Sequence, residues 1–178
     1  MSKRYVTIWF PHLSTDWLAI RHPQWKELPF VFVTPIHGRM IITAVSLVAM
    51  QQGLETGMRL ADAKVIVSGL KVFDEKPGRQ ESLLKKIGEW CIRYSPMVAL
   101  AQQNSLYLEA TGCTHLWGGE KAYLQNLYTT FKDKGYTIRA AIADTPGCAW
   151  AIAHFGSLTP FIPPSGQQEA LASLAPEA

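Results

Sequence analysis

Residues 97–110, MVALAQQNSLYLEA, are the most informative segment for the fold of this chain. Two short apolar runs, 97–101 and 105–110, lie on either side of the polar tripeptide QQN. Apolar runs of this length around a short polar connection predict an antiparallel β-hairpin. The hairpin supplies two neighbouring strands of a sheet, and the segments before and after it indicate what covers that sheet.

Two amphipathic helices are predicted to flank the hairpin. Residues 78–93 carry apolar side chains at helical spacing before it, and residues 120–134 repeat that pattern after it. Strands are predicted at residues 5–10 and 137–143, and a last helix begins at Pro146. This order of elements predicts the α+β class, with a ferredoxin-like split βαβ layer.

A second, smaller lobe is predicted between the first strand and the first long helix. Two strands within residues 30–44, joined at His37 and Gly38, stand beside short helical segments, which indicates a small α/β lobe. The predicted boundaries place residues 1–10 and 75–158 in the main unit and residues 11–74 in the inserted lobe. The Pro-rich residues 159–178 are predicted to start a linker or a further helical unit.

Composition limits the class of protein. The 178 residues are 48% hydrophobic and 17% charged, with a formal net charge of only +3. This charge is compatible with nucleic-acid contact but does not argue for it. The odd count of three cysteines suits a reducing compartment. No apolar run approaches the ~20 residues of a membrane span. We therefore expect a cytoplasmic protein without membrane contact.

Five segments follow one another along nearly the whole chain and carry a family resemblance. They are YVTIWFPHLSTDWL, HPQWKELPFVFV, GLETGMRLADAK, SLYLEATGC and IRAAIADTPGCAWAIAHF. In their order and spacing they resemble the Y-family translesion DNA polymerases. The resemblance implies that the split βαβ sheet is the palm of such a polymerase and that the inserted lobe is its fingers.

Members of that family transfer nucleotides with two Mg²⁺ ions, which activate the attacking hydroxyl and stabilise the transferring phosphoryl group. The resemblance places the family's three carboxylate ligands at Phe10, Asn104 and Ser105. None of these side chains carries the charge that a hard divalent cation prefers. The resemblance therefore implies that the catalytic metal site is degenerate and that no metal is held there.

The nucleotide contacts of the family are replaced as well. The aromatic gate that excludes ribonucleotides falls at Thr15, the triphosphate-binding Tyr and Arg fall at Leu47 and Met50, and a later Lys falls at Trp150. Together with the metal positions, these replacements predict a chain that is not an enzyme and that needs no cofactor.

The runs HGRMIITA, ATGCTHLWGGE and IADTPGCAWAIAHF are similar to the ImuB-like branch of the family, whose members are degenerate Y-family proteins. That resemblance implies an adaptor in DNA-damage-induced mutagenesis. Its implied partners are an error-prone replicative-type polymerase, an ImuA-like protein and the sliding clamp, bound through regions beyond this N-terminal portion.

Two alternatives remain open at this point. The first is an active nucleotidyltransferase whose Mg²⁺ site is displaced onto Asp16, Glu109 and Asp144, although Asp144 could instead cap the last helix. The second is a binding module for protein alone. The two alternatives differ in whether the chain binds nucleotide, metal or DNA at all.

Four basic residues in or near the inserted lobe are candidates for contact with a DNA backbone. They are Arg39, Arg59, Lys64 and Lys71. Isolated basic residues on such segments are as readily explained by solvation as by phosphate contact, so the sequence leaves DNA binding through them as a hypothesis.

Overall fold

The computed structural model describes residues 3–156 and 161–174, and a four-stranded antiparallel sheet organises the larger part of them. Its strands are β1 (Tyr5–Trp9), β5 (Val98–Ala101), β6 (Ser105–Glu109) and β7 (Arg139–Ala143), in the order β5-β6-β1-β7. The predicted hairpin forms β5 and β6. Strand β6 of this hairpin also pairs with β1, in a register that places Trp9, at the end of β1, opposite Ser105.

Helices cover both faces of this sheet. Helix α4 (Arg79–Cys91) packs on the face that carries Leu106, and it approaches so closely that a Cβ on Gly88 would lie 3.4 Å from Leu106 Cδ2. Helix α5 (Glu120–Asp133) packs beside β7. Helix α6 (Pro146–Phe155) packs on the opposite face, against β1 and β7. Successive side chains along each strand point to opposite faces of the sheet, so apolar residues reach the helices on both faces.

The second unit is built on a three-stranded sheet with the order β3-β2-β4. Strands β2 (Phe30–Ile36) and β3 (Arg39–Val45) form the predicted hairpin, whereas β4 (Lys71–Asp74) pairs in parallel with β2 and was not expected from the sequence. Four residues with only two apolar side chains give too short a pattern to identify a strand. Three short helices complete the unit: α1 (Leu13–Arg21), α2 (Leu47–Gln51) and α3 (Leu60–Ile66).

The contacts divide the chain into two compact units. The four-stranded unit contains the described residues up to Pro11 and those from Glu81 onward, and the three-stranded unit contains His12–Gln80. The palm boundaries at residues 1–10 and 75–158, and the fingers boundaries at 11–74, stay a prediction. Of the predicted linker, residues 161–174 are described and include the helix α7 (Gln167–Ala172). Residues 159–160 and 175–178 lie outside the described part of the chain.

One local prediction is wrong. Asp144 does not cap α6, because the cap is Thr145, whose hydroxyl oxygen accepts from the backbone N–H of Cys148 at 3.3 Å. Asp144 instead pairs with Arg4, at 2.5 Å between Arg4 Nη1 and Asp144 Oδ1. Among the residues that the structure describes, no helix is long and apolar enough to cross a membrane. The cytoplasmic location stays a prediction.

Candidate functional site

The candidate site lies at the end of the four-stranded sheet where β1 ends and β6 begins. The backbone N–H of Phe10 donates to the carbonyl oxygen of Asn104 at 3.0 Å. Gln103 and Asn104 both have φ +56°, so the connection between β5 and β6 turns through the left-handed region, which asparagine tolerates better than most residues. The turn thus brings Phe10, Asn104 and Ser105 together.

Phe10 serves the hydrophobic core at this position. Its side chain is fully buried and meets the rings of Phe131 and Tyr136 edge to face, with centroids 5.2 and 6.1 Å apart. Burial of such a ring stabilises the fold by about 2–3 kcal/mol. The ring therefore acts in packing, whereas Ser105 takes part in a polar contact.

Ser105 lies next to a buried histidine that the sequence analysis did not single out. Its Oγ is 2.9 Å from Nε2 of His154, and both residues are buried. Burial, together with the nearby Arg139 cation, lowers the pKa of His154 to about 4. The imidazole is therefore neutral near pH 7. Ser105 Oγ also lies 3.4 Å from the carbonyl oxygen of Gln103, so it can donate there while it accepts from the imidazole.

Two tryptophans enclose the imidazole of His154. The ring centroid of Trp9 lies 4.2 Å from that of His154 with an interplanar angle of 22°, and that of Trp150 lies 4.3 Å away with an angle of 26°. We call these three rings the Trp–His–Trp column. Arg139 supports it from β7, because its Nη1 donates to the carbonyl oxygen of His154 at 3.1 Å, its Nη2 donates to that of Gly156, and its guanidinium lies over the Trp9 ring.

The sequence offered little signal for this column. Trp150 and His154 are spaced by four residues and therefore lie on one face of α6, which was visible beforehand. Trp9 and Arg139 reach the column only because β1 and β7 pair with these residues opposite each other. That register is a tertiary property, which a pattern within one segment does not encode.

The remaining positions aligned with nucleotide contacts lie in the three-stranded unit. Thr15 is buried in α1, and its hydroxyl donates to the carbonyl oxygen of His12 at 3.0 Å. Leu47 and Met50 lie in α2 and are 43% and 45% exposed. That these positions make no contact with a triphosphate stays a prediction.

Two of the acids proposed for a displaced metal site, Glu109 and Asp144, lie away from Phe10, Asn104 and Ser105. Glu109 lies opposite Tyr5, at the other end of β1 from Trp9, and Asp144 lies at that same far end against Arg4. Asp16 is a buried residue of the three-stranded unit. Among the described residues, no group of three or more His, Cys, Asp or Glu side chains is arranged to hold a metal ion.

The four candidate DNA contacts are all exposed residues of the three-stranded unit. Arg39 begins β3, and Arg59 forms an isolated bridge with Ile41 on the same strand. Lys64 lies on α3, which packs against β3. Lys71 begins β4, at the opposite edge of that sheet. Three of the four cations therefore gather near β3, and the fourth stands apart.

Comparison with known proteins identifies a family. The model of the impB/mucB/samB family matches residues 8–154. The protein ImuB of two Caulobacter vibrioides strains is 43% identical over 122 residues, which make up 68% of this chain and 27% of that protein. The chain thus spans only about a quarter of the length of these curated relatives.

Solved structures match the fold. The insertion ternary complex of Dbh DNA polymerase gives a TM-score of 0.75 at 16% identity, over 93% of this chain and 50% of that chain. DinB from Sulfolobus solfataricus gives a TM-score of 0.69 at 15% identity, over 85% of this chain and 45% of that chain. The chain is therefore about half the length of these polymerases. The predicted α+β fold, with a palm and an inserted lobe, and the resemblance to ImuB-like Y-family proteins are confirmed.

The prediction that the chain is not an enzyme is wrong. The matching family model and the DNA polymerase structures that share the fold contradict it. The reason lies in how Mg²⁺ is bound: the ion keeps several waters and takes substrate phosphates as ligands, with only one or two carboxylates from the protein. Replaced side chains at aligned positions therefore do not establish a loss of activity.

Proposed function

We propose, because the chain belongs to the impB/mucB/samB family, that it binds primer–template DNA as part of a protein that acts in translesion synthesis at DNA damage. One observation carries this proposal. The fold matches DNA polymerase structures over most of the chain, among them an insertion ternary complex and a post-insertion binary complex.

The role that we propose within translesion synthesis is that of an adaptor. Support comes from the 43% identity to the protein ImuB over 122 residues, because the sequence resemblance to the ImuB-like branch implies this role. In this proposal an error-prone replicative-type polymerase, an ImuA-like protein and the sliding clamp contact regions beyond this chain. The ImuB relatives provide the length for such regions, since the chain covers 27% of them.

The family's Mg²⁺ ions do not fit the side chains at this end of the sheet. The groups present are a buried phenyl ring, an amide, a hydroxyl and a neutral imidazole, whereas Mg²⁺ prefers carboxylate and phosphate oxygens. We derive no catalytic step through a metal at this place.

Nucleotidyl transfer is the second candidate function, and the match to DNA polymerases favours it. Primer extension by the full chain, with Mg²⁺ or Mn²⁺, measures it directly. Extension that is lost on Glu109→Gln supports a site displaced from the candidate site. Extension that survives this change counts against a role for Glu109.

The DNA contact that we propose runs through Arg39, Arg59, Lys64 and Lys71. Each phosphate neutralised in duplex DNA adds about −0.9 to the slope of log K against log salt concentration. Replacing all four residues by alanine should therefore weaken primer–template binding and flatten this slope by up to about 3–4. Fluorescence anisotropy over a salt series measures both quantities.

The matched control replaces Lys85 and Lys86, which are exposed on α4, by alanine. It removes cations from the four-stranded unit, and we expect it to leave the slope nearly unchanged. Equal slopes for wild type and the fourfold variant would rule out these residues as phosphate contacts. Absence of DNA binding by the wild-type chain at low salt would favour a module that binds protein alone.

A further inference from the structure

We propose that Trp150, at one end of the Trp–His–Trp column, is a stacking site for an unpaired or terminal base of DNA. The inference rests on the proposed DNA-binding function and adds the position where a base is held. It gives the column a ligand in place of the nucleotide contact that the family resemblance assigned to position 150.

The geometry of the column has the form of a base stack. Trp9 and Trp150 each lie within 4.3 Å of the imidazole centroid at angles of 26° or less. Two indoles at this spacing cannot share one face of an imidazole, so they occupy its two faces. Each indole is therefore stacked on the imidazole, and a flat nucleobase can continue such a series by offset stacking on Trp150.

The two ends of the column differ. At one end the Arg139 guanidinium lies 5.8 Å from the Trp9 ring centroid. At the other end Trp150 is half-buried, and Phe155 meets it edge to face with centroids 5.8 Å apart. Phe155 is itself 43% exposed. The Trp150 end therefore presents an aromatic corner on the last turns of α6.

The column is held in place before any ligand arrives. Ser105 contacts the imidazole, Arg139 bonds to the carbonyl oxygen of His154, and α6 buries Ala149 and Ala153 against the sheet. A ring fixed in this way loses little conformational freedom on binding, which favours affinity. Such support suits a rigid stacking platform.

Two features favour DNA over a protein ligand. Proteins that bind single strands combine aromatic platforms with cations, and the described contacts of the column include one cation, Arg139 at the Trp9 end, and no carboxylate. The solved structures that share the fold are DNA polymerases, one of them in an insertion ternary complex. The Arg139 cation and the shared fold with DNA polymerases therefore both favour a polyanion that carries flat bases.

The test uses the full chain and a primer–template with 2-aminopurine in the first unpaired template position. Stacking quenches this fluorophore, so we expect quenching with wild type and much less with Trp150→Ala. The affinity of Trp150→Ala should fall about tenfold, within the range known for base–aromatic stacking. Its salt slope should stay unchanged, because no phosphate contact is lost. Trp150→Phe keeps a flat ring and should retain most of the affinity and quenching.

The control variant is Ile92→Ala, which removes an exposed apolar side chain of the same unit and should leave binding unchanged. If Trp150→Phe unfolds at the same temperature as wild type, a folding defect is excluded for that variant. If Trp150→Ala binds DNA with wild-type affinity and quenching, the stacking site is overturned while the proposed function stands. If the wild-type chain binds no DNA at low salt, both proposals fail.

Discussion

Replacement of Arg4 by methionine should destabilise the four-stranded unit strongly, because Arg4 joins three separate segments. Its Nε and Nη2 donate to the two carboxylate oxygens of Glu120 at 2.7 and 2.8 Å. Its Nη1 donates to Asp144 at 2.5 Å, and Nη2 also donates to the carbonyl oxygen of Ile162 at 2.6 Å. The bidentate pairing with Glu120 is the strongest form of such a contact.

The magnitude follows from what Arg4→Met leaves behind. Removing one partner of a buried ion pair costs about 3–5 kcal/mol, because the remaining charge is uncompensated. The side chains of Glu120 and Asp144 keep 18% and 17% of their exposure, so water relieves part of this penalty. We expect a loss of about 3 kcal/mol in the free energy of unfolding.

Urea denaturation followed by circular dichroism measures this loss. With a slope of about 1–3 kcal/mol per molar urea, the midpoint should fall by roughly 1–3 M. Adding Glu120→Gln and Asp144→Asn to Arg4→Met should recover part of the loss, since the unpaired charges are then gone. The exposed Lys85→Met serves as the control, within about 0.5 kcal/mol of wild type. An Arg4→Met midpoint equal to that of this control would show that the Arg4 ion pairs contribute nothing to stability.

Three further predictions concern the candidate site and its support. First, His154 is neutral in the folded chain, because its pKa of about 4 lies below the value in the unfolded chain. Its contribution to stability is therefore complete above about pH 6.5 and declines as the pH falls towards 4. The free energy of unfolding should be lower at pH 5 than at pH 6.5 by about 2 kcal/mol through this group, and the difference should shrink in His154→Gln. Second, Ser105→Ala removes the polar partner of a buried imidazole and should lower the free energy of unfolding by about 1–3 kcal/mol, whereas a change below about 0.5 kcal/mol in chemical denaturation would contradict the contact. Third, Gly88→Leu should destabilise the chain by about 1–3 kcal/mol because α4 lies close to Leu106, while Gly88→Ala should stay within about 1 kcal/mol of wild type in thermal unfolding.

The elements that the sequence identified correctly have strong local signals. Residues 97–110 form the hairpin of β5 and β6, because the apolar runs and the polar turn agree. The two long helices and the start of α6 after Thr145 follow from apolar periodicity and capping in the same way. Strand β4 was missed because it gains its stability from parallel pairing with β2, which is distant in sequence.

The candidate site was only half visible beforehand. The alignment with the polymerase family singled out Phe10, Asn104 and Ser105, and the hairpin turn does bring them together. What fills the site was not foreseen, because His154 reaches Ser105 from a helix 49 residues further along the chain. Asp144 was considered as a metal ligand or as a cap of α6, but the guanidinium of Arg4 holds it instead. In both places a long-range contact outweighs the local pattern.

Above all, we propose that the chain binds primer–template DNA through its Y-family fold. The most direct measurement is the affinity of the full chain for a fluorescent primer–template between 50 and 200 mM salt, conditions over which about six to ten phosphate contacts change affinity by about 10³–10⁵. For the four phosphate contacts proposed here, we predict measurable binding at 50 mM salt and a linear fall of log K with log salt concentration, at a slope of about −3 to −4. Absence of binding at 50 mM salt, or an affinity that does not respond to salt, would contradict the claim.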